Sequence, residues 1–563
     1  MNLATRAAMT SRSQRSCLAR RFALCLAPLA VLAGALPASA AEKVVRIGMT
    51  ATDIPKTHGQ PDQAFEGNRL TGLTLYDALT AWDYETGTHI MPMLATEWAV
   101  DAADKTKWIF KLRPNIAFKD GSPFNADAVV WNVRKVLDKS AAHYDPSQVG
   151  WTAPRMPTLR SARKIDDMTV EFTTSEPDSF LAINLVNLFM ASPAQWQSKF
   201  DKVPADVTDP AQRAAAAWRD FIADPSGTGA FHLAKLVPRE RLELVRNANY
   251  WDKARVPKID RIVMVPIPEV GARSAALLSG QVDLIEAPAP DAVASIKARG
   301  FKIATSQSSH VWPWQPSLLE GSPWTDKRVR EAANLCFDRN DLVVLNGGLA
   351  DPAFGMMRPN HPWFGKPKLK LRFDGDEARR LMTAAGYSDQ KRATVKILTT
   401  TVGSAMMQPL PMNETLQQAL GKCFFDVKLE MLEWGTLFTN WREGPTSPNA
   451  RGANALNVSV ATMDPFFALA RFADIRMAPP VSNNWGSIND PELARLAAVA
   501  RTTFDADARD AALAKVHERL VDESMFIFMV HEVAPRALSP RIRDFSAPNG
   551  FYVDWAKIDI AAE

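Results

Sequence analysis

Between Leu94 and Leu137 the hydrophobic period changes from that of a strand to that of a helix across one Gly-Ser-Pro turn. Trp98 ends a predicted helix, and a polar turn leads into a strand on which Trp108, Phe110 and Leu112 alternate toward one face. Lys119-Asp120-Gly121-Ser122-Pro123 then turns the chain, because Gly tolerates positive φ and Pro fixes its own φ. Asn125 or Asp127 caps a helix whose Ala126, Val130, Val133 and Leu137 share a stripe. A half-buried strand and an amphipathic helix follow, the elements of an α/β fold.

At 563 residues the chain exceeds one ordinary core, so two or three domains are expected. Its 23% charged and 47% hydrophobic residues are those of a folded, soluble protein. The amino terminus accounts for the apparent basic balance. Arg6, Arg12, Arg15, Arg20 and Arg21 form a positive region, Phe22 to Leu36 an apolar one, and Ala38-Ser39-Ala40 supplies small residues for cleavage before Ala41. Residues 1–40 therefore read as a secretory signal peptide cut between Ala40 and Ala41. Arg20-Arg21 keeps both ordinary secretion and twin-arginine export open. Without that segment 61 Lys and Arg face 62 Asp and Glu, and a nucleic-acid partner loses its support.

Of four cysteines, only Cys336 and Cys423 follow the cleavage site. An exported pair can bridge, but sequence supplies no distance; the apolar run Ala332 to Phe337 favours two buried free thiols. Val45, Ile47 and Met49 alternate on a half-buried strand, as do Leu242 with Leu244, and Ile262 with Met264. Residues 201–227 read as a surface helix pair, and Asp490-Pro491 as the start of another helix.

Five ordered blocks go further than periodicity. Leu94, Ala95, Trp98, Leu112, Arg113, Phe118, Asp120, Gly121, Phe124, Ala126 and Val129 form the first. GTGAF with RNANYW, ALLSGQVD, DKRVREAANLCFDR and FDGDEARRLMTAAGY form the others, through Tyr387. Together they closely resemble the signature of family 5 solute-binding proteins, the peptide/nickel-type receptors of ABC importers. That resemblance implies a periplasmic-binding-protein-like α/β fold (class II, large type), with two lobes around a ligand cleft and an extra α/β domain. By analogy lobe I takes residues 41–80, 215–308 and 533–563, the extra domain 81–214, and lobe II 309–532.

The implied function is capture of a small solute, peptide-like or not, by hinge closure and its delivery to an inner-membrane ABC permease. The implied protein is periplasmic and monomeric, needs no cofactor and is not an enzyme. A periplasmic chaperone or a chemoreceptor ligand-presenter of the same fold is the alternative. No phosphate loop, nucleophile elbow or metalloprotease His pair is present in the sequence.

Four segments are candidates for lining the cleft. Thr52 and Asp53 follow the first strand. Trp312 and Trp314 share a face if extended, and either stack on a solute or fill the core. Trp434 follows Glu433 as a lining or packing residue, and Ala461, Met463 and Asp464 precede Pro465. In peptide-binding members an Asp four residues before that Pro holds the peptide ammonium; here Ala461 stands there. A buried ammonium needs an acid, so a non-peptide solute is expected, or an amine held by another acid such as Asp53. Asp464 matches the family's acid beside Pro and equally can cap the next helix.

Overall fold

In the computed structural model the described residues are 41–51, 53–57, 67–83, 89–146, 148, 152, 155–307, 310–401, 407–548 and 552–562. The signal-peptide reading, Ala40 and Thr52 lie outside them. Residues 42–563 form one compact unit.

Val44–Met49 is the centre of a seven-stranded sheet, pairing in parallel with Arg261–Pro266 on one side and Leu284–Glu286 on the other. Val45, Ile47, Met49, Leu242, Leu244, Ile262 and Met264 are fully buried, as their alternation predicts. The first strand is not half-exposed, however. Val44 and Gly48 are buried too, because a central parallel strand is covered on both faces. A second seven-stranded sheet centres on His310–Pro316, which pairs antiparallel with Ala455–Asn457 and Ile527–Glu532. A third, four-stranded antiparallel sheet runs Ala95–Val100, Lys107–Leu112, Thr169–Thr174, Leu159–Asp166. The architecture is thus two α/β lobes with an additional α/β domain.

The opening strand–turn–helix sits in the third sheet. Trp108, Phe110 and Leu112 face inward, Gly121 adopts φ 84°, and Asn125 caps the helix Ala126–Leu137 by accepting from the Ala128 N–H at 3.1 Å. The inward stripe is Ala126, Val129, Val133 and Val136, so Val130 and Leu137 only flank it. Trp98 does not end a helix. It lies on the strand Ala95–Val100 and stacks its ring on Phe110 across the ladder. Strand pairing here overrides local pattern. Residues 201–227 hold one helix, Pro210–Ala223, which packs on the preceding helix Pro193–Phe200 rather than on a partner within that range.

The recurring blocks prove to be structural. Asp77 is buried and accepts from Thr228 Oγ1 at 2.9 Å, Tyr250 Oη at 2.8 Å and Trp251 Nε1 at 2.8 Å, tying the GTG and NYW blocks together. Gly229 lies so close to the Thr74–Tyr76 backbone that a Cβ would fall 2.4–2.5 Å from its atoms. Asp283 of the ALLSGQVD block accepts from the Arg46 N–H at 2.9 Å and from Arg541 Nη1 at 2.8 Å.

Cys336 and Cys423 are bonded, with Cα atoms 6.3 Å apart, which corrects the expectation of free thiols. Cys336 ends the helix Lys327–Leu335 and Cys423 follows the helix Pro409–Gly421. Both pack in the core of the second lobe, a meeting that only tertiary structure produces.

Burial also sets an acid response. His517 is fully enclosed; its Nε2 accepts from the Met357 N–H at 3.2 Å, which leaves Nδ1 to donate to the Phe364 carbonyl at 2.7 Å. Burial pushes His517 down to about 4, with His143 and His361 also at about 4 and His310 at about 3. The unfolded chain binds these protons near pH 6.5, so stability is full above that pH and falls as pH drops toward 4. The slope is up to about 1.4 kcal/mol per pH unit for each histidine. We expect urea midpoints to fall between pH 6.5 and 4.5 as these histidines take up protons on unfolding. Midpoints constant over that range would contradict it.

Candidate functional site

Two short connections join the lobes. One runs from the strand Lys302–Ala304 in the first sheet to His310–Pro316 in the second; the other runs from Ile527–Glu532 back to Arg536–Leu538. They touch, as the Ser306 N–H donates to the Val533 carbonyl at 2.9 Å, and the second is also tied to the first sheet by the Ala287 N–H, which donates to the Pro535 carbonyl at 2.9 Å. Charged side chains gather beside them. Arg69 grips Glu286 through both guanidinium nitrogens, with Nη2 to Oε2 at 2.8 Å, and both side chains are inaccessible to solvent. Arg536, also buried, lies in the field of Glu286 and Glu532, and Glu532 accepts from Trp312 Nε1 at 2.7 Å. Burial opposes ionisation of Glu286, but Arg69 outweighs it and holds the carboxyl below its ordinary range.

Trp312 and Trp314 are therefore core residues. Trp314 Nε1 donates to Asn413 Oδ1 at 2.6 Å, and both rings pack with Val329, Leu335 and Met529. The proline between them brings a register irregularity, and both faces of the strand are buried, so alternation could not tell solute from core. Asp53 is likewise engaged elsewhere, accepting from the Arg239 N–H at 2.6 Å on the hairpin turn of the first sheet. It fastens the loop to that turn.

The other candidates converge. Ala461 and Met463 are buried with Phe466 and Phe467 from the second lobe, Trp82 and Val186 from the side of the additional domain, and Tyr552 near the carboxyl end. Four separate stretches of chain thus meet in one cluster. Asp464 caps the helix Pro465–Ala468 by accepting from the Phe467 N–H at 2.7 Å. It is fully enclosed, and burial raises its carboxyl above the usual range against the pull of Arg155 and Arg471. Arg155 stacks on the Phe467 ring with its guanidinium carbon 3.8 Å from the centroid, and Arg471 on the same ring at 4.3 Å. Trp434 begins the helix Trp434–Glu443, capped by Glu433, and its ring leads through Phe438 to Trp441 at successive centroid distances of 5.7 and 5.9 Å. Trp441 in turn lies 5.2 Å from the Arg471 guanidinium carbon.

Sequence reading missed Arg155 and Arg471. The signal for Arg471 is its setting in Phe466-Phe467-Ala468-Leu469-Ala470-Arg471-Phe472, since a guanidinium in an apolar run stays only where something compensates it. Two cations, one acid and several aromatic rings thus meet in one buried cluster. Among the described residues, no group of His, Cys, Asp and Glu is placed to hold a metal.

Known proteins share the fold. Residues 89–468 match the family model for bacterial extracellular solute-binding proteins, family 5. The periplasmic oligopeptide-binding protein OppA of Salmonella typhimurium is 24% identical over 88% of this chain and 92% of its own length. A glutathione-binding protein GsiB of Pectobacterium atrosepticum is 23% identical over 92% of each chain. Among solved structures, the periplasmic binding protein DppA of Helicobacter pylori in complex with the peptide STSA superimposes with a TM-score of 0.77 at 20% identity, covering 92% of this chain and 98% of that one. MoaA from A. tumefaciens R10 in complex with mannopinic acid gives a TM-score of 0.73 at 17% identity, covering 92% and 100%. The chain belongs to family 5 of the bacterial extracellular solute-binding proteins.

Proposed function

We propose that this protein is the exported receptor of an ABC importer, capturing one small solute between its lobes and presenting it to a membrane permease. What supports the reading is the convergence of Trp82, Arg155, Trp441, Asp464, Arg471 and Tyr552 in one buried cluster built from separate stretches of chain. A fold held by two adjacent connections can open by rotation about them, and a solute that touches both walls favours the closed state by its differential contacts. Arg155 stacks on Phe467 from a stretch remote in the chain, and on this reading closure brings such groups together.

Relatives are named for oligopeptides, glutathione and heme, so membership alone does not choose the solute. Ala461 supplies no acid for a peptide ammonium, and Asp464 spends one oxygen on its helix cap. A solute without a free α-ammonium fits better. Purification under native conditions, followed by mass spectrometry of the intact protein, is expected to reveal a bound small molecule. Small-angle scattering should then show a larger radius of gyration once that molecule is removed by partial denaturation and refolding. The same radius with and without it would contradict capture by closure.

A further inference from the structure

Phe180 and Leu181 are neighbours in sequence, yet they are buried in different cores. Leu181 packs with Phe110 and Phe172 of the four-stranded sheet in the additional domain. Phe180, only 1% exposed, lies instead with Val311 and Phe528 of the second sheet and with Leu493 and Ala497 of the helix Pro491–Thr502. The additional domain thus inserts one aromatic side chain into the second lobe. Polar contacts fasten it there. The Ser179 N–H donates to the Arg501 carbonyl at 2.8 Å and Ser179 Oγ to the Ala500 carbonyl at 3.2 Å, supplying donors to the last turn of that helix. Arg501 Nη1 donates to Glu176 Oε1 at 3.2 Å, and the Phe504 ring lies 5.8 Å from that of Trp108 on the four-stranded sheet. A cavity of about 590 Å³ is lined by Ser179 and Phe504 of this contact and by Trp82 and Met463 of the buried cluster, so the two are separate patches. The same domain also stands on the first lobe. There the Lys119 N–H donates to the Gly227 carbonyl at 2.9 Å, and the Arg113 guanidinium stacks 4.8 Å from the centre of the Trp251 ring.

We propose that residues 176–180 form a clasp between the additional domain and the second lobe, which must release before the lobes part and which keeps a share of the solute-free protein closed. The inference rests on the reading of the chain as a receptor that works by closure. The chain leaves the first sheet after Val44–Met49, builds the additional domain and returns to that sheet at Phe231–Val237, so the backbone ties the domain to the first lobe at both ends. On the side of the second lobe it is held by one buried ring, two hydrogen bonds and an ion pair whose Glu176 is half exposed. Rotation about the two connections therefore breaks the second set of contacts first. Release exposes Phe180 to water and leaves its place in the second lobe empty, and both effects oppose opening. A closed arrangement populated in advance reduces what the solute must supply, and so raises its apparent affinity.

The test uses the full mature protein, freed of solute by partial denaturation and refolding, and measures the distance between nitroxide labels by pulsed electron paramagnetic resonance. Labels go on Ala298→Cys in the first lobe and Ala384→Cys in the second, both exposed, while the bonded Cys336 and Cys423 take none. The solute-free wild type is expected to show a shorter and a longer distance. Phe180→Ala should raise the ratio of long to short by about tenfold or more. Phe180→Leu, which keeps an apolar plug, should stay near the wild type, and Glu176→Lys should raise the ratio by about threefold. A solute-free wild type that shows the longer distance alone, or a Phe180→Ala distribution that matches the wild type, would overturn the clasp. Where Phe180→Ala does not fold, Glu176→Lys decides, and an unchanged ratio would overturn the clasp equally. The receptor reading is judged apart, on natively purified wild type: no bound molecule and the same distances before and after stripping would overturn that reading, whatever the variants show.

Discussion

Replacing Cys336 and Cys423 together by Ala is expected to lower the stability of the second lobe by about 4 kcal/mol. The bridge closes a sequence separation of 87 residues, and in the chain-entropy account a loop of that length restricts the unfolded ensemble by roughly 4–5 kcal/mol. Almost nothing offsets this, because both positions are buried among apolar neighbours that accept an Ala side chain at the cost of a small cavity. The loss should appear in equilibrium urea unfolding as a lower midpoint with a slope that is unchanged or larger. Reduction of the wild type should give the same midpoint, but slowly, since the sulfurs are enclosed. A double variant that unfolds at the wild-type midpoint would refute the entropic account.

Glu286→Gln is expected to cost about 3–5 kcal/mol, as breaking one half of a buried ion pair does. The mutant amide cannot neutralise Arg69, whose guanidinium is fully enclosed, and it also removes charge from the field of Arg536. Glu286→Gln should therefore be much worse than a change that removes both partners, such as Arg69→Met with Glu286→Leu. The double variant leaves no uncompensated charge of the pair and is expected to recover part of the loss. Because the folded pKa of Glu286 is depressed, its contribution is present above the unfolded value near 4.5 and vanishes as pH falls through the folded value. In urea unfolding at pH 7, a single variant within 1 kcal/mol of wild type would show that the pair is not isolated from water.

Much of the framework was legible beforehand, for a physical reason. Strands such as Lys107–Leu112 and the helix after Asn125 follow from alternation, capping and a Gly–Pro turn, all of which act within a few residues. The five blocks identified the family because they build contacts every member of such a fold needs, such as the Asp77 knot with Thr228, Tyr250 and Trp251. Trp98 went astray because a strand that pairs at its neighbour's edge carries little signal of its own.

The ligand region was legible only in part. Ala461 and Met463 lie in one cluster with Trp82 and Tyr552, Trp434 lies in a neighbouring one, Trp312 and Trp314 are buried in the second sheet's core, and Asp53 accepts from a hairpin turn. A tryptophan in the core and one facing a solute need the same apolar spacing, so spacing does not separate them. Arg155 and Arg471 come from stretches more than three hundred residues apart, so no local pattern joins them.

By itself, then, the sequence determined the family, the kinds of elements and the absence of an acid at Ala461, because these depend on residue identity and short-range spacing. The tertiary structure alone decided that Cys336 meets Cys423, that Glu286 neutralises Arg69, and that two cations converge on one phenylalanine ring. Each of these is a distance between segments remote in the chain, and chain order does not encode distance until the lobes have packed.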